Sequence, residues 1–120
     1  MRHHRIYSDE SGESHIEENE AQTSLTNFAP PSPPIYVSAP ESAVNYRFLT
    51  LPAGWEGDWH TSPQRQMITI LVGEFEIETS DNKNMRFGPG STILHEDASG
   101  KGHRSRTTSG ASAIAIRLSS

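Results

Sequence analysis

One short run narrows the possible folds of this chain more than any other. Met67-Ile-Thr-Ile-Leu-Val72 is nearly all apolar, rich in β-branched residues and stopped by Gly73. It is too short for a buried helix. A strand covered on both faces is what such a run makes. The segments around it have the same character. Glu74 to Glu78 alternates acids with Phe75 and Ile77, so the two apolar residues point inward and the three glutamates outward. Ser80-Asp-Asn-Lys83 is a hairpin turn, and Met85 to Phe87 is its return strand. Ser91 to His95, His103 to Thr107 and Ala113 to Leu118 complete the set, with a glycine-containing loop over 97–102 and a turn at Ser109-Gly110. Upstream, Val44, Tyr46, Phe48 and Thr50 alternate with Asn45, Arg47, Leu49 and Leu51. No segment carries an apolar stripe at the helical period. Many short strands joined by glycine turns predict an all-β sandwich or barrel.

The first forty residues read differently. Residues 1–20 are polar, with short apolar notes at Ile6-Tyr7 and His15-Ile16 around the turn Asp9-Glu-Ser-Gly12. Two short strands, an extended arm or a solvated tail all fit. The segment from Ala21 to Phe28 is long enough for one more edge strand. Four prolines between Pro30 and Pro34 remove ladder donors and favour polyproline II. Such a run docks an SH3-like partner or, more commonly, is a stiff lead-in lying along its own domain. The expected division is an N-terminal arm and proline-rich lead-in over 1–40 and a barrel over 41–120.

Composition removes several function classes. The chain of 120 residues is 32% apolar with a net charge of −5. That balance argues against nucleic acid, which needs a basic face. With no cysteine, disulfides, thiolate nucleophiles and zinc–thiolate sites are excluded. No apolar run approaches the ~20 residues of a membrane-spanning helix. Basic residues at the start are followed by no apolar signal core, so a cytoplasmic location is expected. Paired carboxylates of glycosidase type, a serine elbow and a phosphate loop are all missing.

The polar stretch before the central run carries the chemistry. Gly54 is followed by five residues and His60; Ser62, Gln66 and Gly73 follow at intervals of two, four and seven. Further on, Gly88-Pro-Gly90 precedes Glu96 by five intervening residues, and His103 closes Gly-Lys-Gly-His. These spacings resemble the two motifs of the cupin superfamily over about residues 44–118. In the first motif, G-x5-H-x-H-x3-4-E-x6-G, His60 is kept while Ser62 and Gln66 stand for the second histidine and the glutamate. In the second motif, Glu96 takes the proline position, the link to His103 is longer, and Thr107 takes the final asparagine position. The segments Trp59-His-Thr-x-Pro-x-Arg-Gln66 and Glu96-Asp-x-x-Gly-Lys-Gly-His103 are similar to those of small single-domain cupins without an assigned activity.

The resemblance implies a double-stranded β-helix, or jelly roll, with a divalent metal ion at its mouth. The matching ligand positions are His60, Gln66 and His103, and the metal implied is iron, zinc, nickel, manganese or copper. His60 and His103 are then also the catalytic pair, with Trp59, Ser62, Gln64, Glu96 and Arg104 expected around a small polar organic substrate. Glu96, Gln64 or His95 can supply a missing ligand, but His95 and Glu96 are neighbours on a strand that face opposite sides, so only one of them looks inward. Gln66 has an equal structural use as an amide fixing the tautomer of His60. One of Trp55 and Trp59 is expected to roof the pocket. Two other functions stay open. One is a metal-free isomerase, epimerase or dehydratase using the same histidines, with Arg65 or Arg104 holding a carboxylate. The other is a non-catalytic small-ligand binder. The N-terminal histidines and His15 are expected to face water. Arms of this kind pair with a neighbouring subunit and cover edge strands, so a homodimer is expected.

Overall fold

The computed structural model describes residues 1–119. Eleven strands and no helix make up the described chain: β1 (Arg2–Ser8), β2 (Ser14–Glu20), β3 (Ser24–Thr26), β4 (Ile35–Val37), β5 (Ala43–Leu51), β6 (Gln66–Gly73), β7 (Phe75–Thr79), β8 (Asn84–Phe87), β9 (Thr92–His95), β10 (His103–Arg106) and β11 (Ala111–Leu118). They form a six-stranded sheet in the order β2-β1-β9-β6-β11-β5, a three-stranded sheet β10-β7-β8 and a separate pair β3-β4. The two larger sheets face one another, and non-consecutive neighbours within each give the jelly-roll winding.

Ile6, Ile16, Ile70, Ile77, Phe87 and Ile93 are buried between the sheets and make the core. The alternation in β7 works as its sequence demands. Phe75 and Ile77 are buried, while Glu76 accepts from Arg86 and Arg106, and Glu78 from Arg104. In β11 the alternation runs against simple hydrophobicity. Ala111, Ala113 and Ala115 point inward and are buried, and Ile114 and Ile116 take the other face. Small side chains on the inner face cannot fill the space between sheets at normal density, and the unfilled space is the cavity described below.

The polar N-terminus is a strand pair in the main sheet. β1 and β2 are antiparallel, and β1 runs parallel to β9 with Ile6 opposite His95. Ile6 and Ile16 are its buried residues. The proline-rich run is the loop of a hairpin, because β3 and β4 pair across it with Leu25 opposite Tyr36.

His15 does not simply face water. Its Nε2 lies 2.7 Å from Asp9 Oδ2 and its Nδ1 3.0 Å from Asp81 Oδ2, which clips the β1–β2 turn to the β7–β8 turn. The Asp9 bond, followed by that of Asp81, raises the His15 pKa above its ordinary value despite desolvation. A group whose pKa is raised on folding stabilises fully below its unfolded value, about 6.5, and loses that stabilisation as pH rises through the folded value. The melting temperature is therefore expected to fall as pH rises beyond the ordinary imidazole range. His15→Gln flattens that dependence, as thermal melts across the range will show.

Candidate functional site

Two cross-strand pairs, one from each wall of the barrel, build the site. On the large sheet, Gln66 at the start of β6 lies opposite His95 at the end of β9. Directly opposite residues of an antiparallel pair project to the same side. On the other wall, His60 and His103 exchange both backbone bonds, each N–H donating to the other's carbonyl at 2.9 Å. Gly102 makes that approach possible. It has φ of +71° and sits against the His60 carbonyl, where any side chain would collide. The two pairs meet. The His60 and His103 ring centroids are 4.6 Å apart, and those of His95 and His103 are 5.0 Å apart.

The second nitrogen of two rings is already committed. His60 Nδ1 is 2.9 Å from the Asp58 carbonyl oxygen. A carbonyl only accepts, so Nδ1 carries a proton and Nε2 is the nitrogen left to face the site. His103 Nδ1 is 2.6 Å from Asp97 Oδ2, with both side chains buried. A carboxylate or carbonyl behind an imidazole is the arrangement that orients metal-binding histidines and raises their basicity. His95 has no such partner. Burial, and then the charges of His103 and His60, push its pKa down to about 3, so it is neutral at physiological pH. Among the described residues, the buried side-chain polar atoms without a partner are His95 Nδ1 and Nε2, Ser62 Oγ and Asp97 Oδ1. All belong to this neighbourhood, since Ser62 N–H donates to the Asp97 carbonyl. Each such orphan costs about 1–3 kcal/mol.

Ligand atoms of His95, Asp97 and His103 lie within 4.8 Å of one another. The two imidazoles of this buried group fit a divalent ion of the imidazole-preferring kind, with Asp97 held behind His103 by its 2.6 Å bond. Asp97→Asn keeps a bond to His103 while removing the charge behind it. It is expected to weaken metal binding about 10- to 100-fold, measured by isothermal titration.

Below the histidines the cavity has a volume of about 200 Å³. His60, Gln66, His95 and His103 stand at its polar side; Leu49, Leu51, Ile68, Phe75, Ala111 and Ala113 form the apolar remainder, with Trp55 and Ser105. Trp55 is therefore the tryptophan on the pocket. All five residues expected around the substrate lie outside this lining. Trp59 is exposed and covers the Arg104 guanidinium at 5.3 Å, and Arg104 in turn donates to Glu78. Gln64 lines two neighbouring grooves, one of which adjoins the cavity through Leu49 and Gln66. Glu96 faces away from His95, as strand alternation requires, and accepts from both Arg5 and Arg65. Arg65 also donates to Glu41 and is not among the residues that line the cavity. Ser62 is buried behind the histidines rather than on the cavity wall. His95 was one of two neighbours that the sequence left undecided; Asp97 read only as part of an acidic turn.

No family model matches the chain, and no curated protein matches it. Solved structures do. The chain is similar to the DMSP lyase DddQ from Ruegeria pomeroyi DSS-3, with TM-score 0.56 and 22% identity over 82% of this chain and 56% of that one. It is similar to a cupin-2 domain containing protein from Shewanella frigidimarina NCIMB 400, with TM-score 0.51 and 13% identity over 62% and 69%. It also resembles a cupin domain from Bordetella pertussis Tohama I, with TM-score 0.50 and 14% identity over 85% and 98%. The chain shares its all-β, double-stranded β-helix fold with these cupin structures.

Proposed function

We propose that this cupin holds one divalent transition-metal ion at the mouth of its barrel and presents it to a small organic molecule. His60, His95 and His103 are the ligands, and the neutral Gln66 amide is a weaker fourth. The observation that carries the reading is the pair of orphaned nitrogens on buried His95, facing two imidazoles whose other nitrogens are already anchored. An ion at this point would give one of those two nitrogens a partner. The histidine in β9 thus takes the place that Ser62 leaves empty in the first motif. A bound ion would supply Lewis acidity toward an oxygen of the ligand.

The cavity lining contains no lysine, arginine, aspartate or glutamate. A carboxylate or phosphate wholly inside it would have the metal to compensate its charge, with Arg47 and Arg117 only in the adjoining groove that shares Leu49 and Gln66. The ligand that fits is a compact molecule with an apolar body and one coordinating oxygen. At about 30 Å³ per water, the space is that of roughly seven waters. The same geometry serves turnover or plain binding; thermal-shift screening followed by product analysis of the hits separates these.

Protein purified without a metal-affinity step is expected to contain one equivalent of metal by elemental analysis, and His60→Ala to reduce it. Substoichiometric metal unchanged in His60→Ala rejects the reading. Turnover that survives chelation gives the histidines an acid–base role instead.

A further inference from the structure

The inner face of the main sheet changes character along its length. Ala111, Ala113 and Ala115 of β11 are buried on it, and Leu49 lies opposite Ala113. Nearer the mouth the same face turns basic. Arg47 lies opposite Ala115, and Arg117 lies opposite Asn45 on one side and Gln66 on the other. Gln66 in turn lies opposite His95. Directly opposite residues of antiparallel strands share a face. One row therefore runs His95, Gln66, Arg117, Asn45 across β9, β6, β11 and β5. Arg47 stands beside its far end, two residues from Asn45 on the same face of β5.

A groove of about 360 Å³ follows this row. Arg47, Arg117, Asn45 and Gln64 line it, and it shares Leu49 and Gln66 with the cavity below the histidines. No aspartate or glutamate lines it. That is unusual in this chain, whose acids outnumber its lysines and arginines by 15 to 10. Arg2, Arg5, Arg65, Arg86, Arg104 and Arg106 each pair with a carboxylate. Among the described residues, Arg47 and Arg117 are the two arginines that pair with none. Arg47 is exposed and Arg117 half-buried, so neither is locked into the protein and both are open to a ligand. The two cations without a carboxylate are thus the two that share a face with the site.

We propose that Arg47 and Arg117 form an anion subsite, which holds the carboxylate of a small organic acid whose other end places an oxygen on the metal. This rests on the metal-site reading above and extends the ligand from the cavity into the groove past Leu49 and Gln66. A guanidinium presents a planar fork of donors that matches a carboxylate, and the Asn45 and Gln64 amides add donors along the groove. Register sets the length of the molecule. The backbone of Arg117 is one strand from Gln66 and two from His95, on the order of 5 and 10 Å. The acid group therefore sits within about 10 Å of the coordinating oxygen, with an apolar body between them against Leu49 and Ile68.

Isothermal titration of the zinc-loaded full chain tests this with two probes, 6-hydroxyhexanoate and 1,6-hexanediol, which share a hydroxyl and a carbon chain of one length. The acid is expected to bind at least about tenfold more tightly than the diol, the effect of charge-assisted bonds to a guanidinium. In Arg47→Gln with Arg117→Gln the two probes are expected to bind alike. Zinc content and circular dichroism stay at their wild-type values, since neither arginine is buried or ion-paired among the described residues. An acid that binds no more tightly than the diol, or does not bind, overturns the proposal, as does a preference that survives in the double variant. Inorganic phosphate that binds more tightly than the acid overturns the carboxylate assignment. The same titrations on chelator-treated protein keep this apart from the metal reading. Weaker binding of both probes with the preference kept supports both. A preference kept with affinities unchanged by zinc rejects the metal contact and the two-ended ligand, and leaves only the arginine pair.

Discussion

Gly102→Ala will unfold the mouth of the barrel and remove metal binding with it. Two effects add at this residue. Its φ of +71° lies in the left-handed region, which costs an L-residue about 1–2 kcal/mol. An added Cβ would also penetrate the His60 carbonyl group and stand 2.9 Å from the Thr61 nitrogen. These are backbone atoms, held by the paired bonds between His60 and His103, so they cannot rotate aside. The total is expected to be about 3 kcal/mol or more, the range of severe single substitutions. Gly90→Ala is the control. Gly90 has φ of +87° but nothing within 4 Å of an added Cβ, so only the conformational cost of about 1 kcal/mol remains. Urea melts of the two variants isolate the close approach from the backbone strain. Equal losses would mean that the His60–His103 bridge does not depend on Gly102.

His95→Leu is expected to do opposite things to stability and binding. The wild-type imidazole is buried with both nitrogens unpartnered, and replacing such a group by an apolar one of similar size recovers about 1–2 kcal/mol in the metal-free protein. For a domain of this length that raises the melting temperature by about 3–8 °C. Metal affinity is expected to fall by more than about 100-fold, since a ligand is lost rather than a supporting partner. A site that weakens the fold in order to bind gives this inverse pattern. A structural histidine gives the reverse, with a lower melting temperature and binding intact. Scanning calorimetry on chelator-treated protein, with titration of the same samples, reads both.

The sequence disclosed the strands better than it disclosed the site. Period-two alternation is local, so β5 to β11 were legible from their own residues. Which face of a strand looks inward depends on the opposing sheet. That is why Ala113 rather than Ile114 faces the cavity, and why His95 could not be told from Glu96. The polar N-terminus left two strands, an arm and a tail equally open, because its acids find arginines and the amino terminus around it and only Ile6 and Ile16 are buried apolar markers. His60, Gln66 and His103 were found because motif spacing sets where a side chain falls on the turn and strand. Trp59 and Arg104 were expected in the pocket because they adjoin His60 and His103 in sequence. Adjacent residues on extended chain point opposite ways, and these two lie outside the cavity lining. Asp97 carried no sequence signal beyond its acidic neighbour; its role appears only when the loop brings it 2.6 Å from His103.

The central claim is a metal ion held by imidazoles from both walls of the barrel. Anomalous diffraction from crystals grown with zinc tests it most directly. The account expects one strong peak in the barrel mouth at about 2.1 Å from a ring nitrogen of each of His60, His95 and His103. A mouth with no peak at saturating zinc, or a peak bound only by surface residues such as His15, would contradict it.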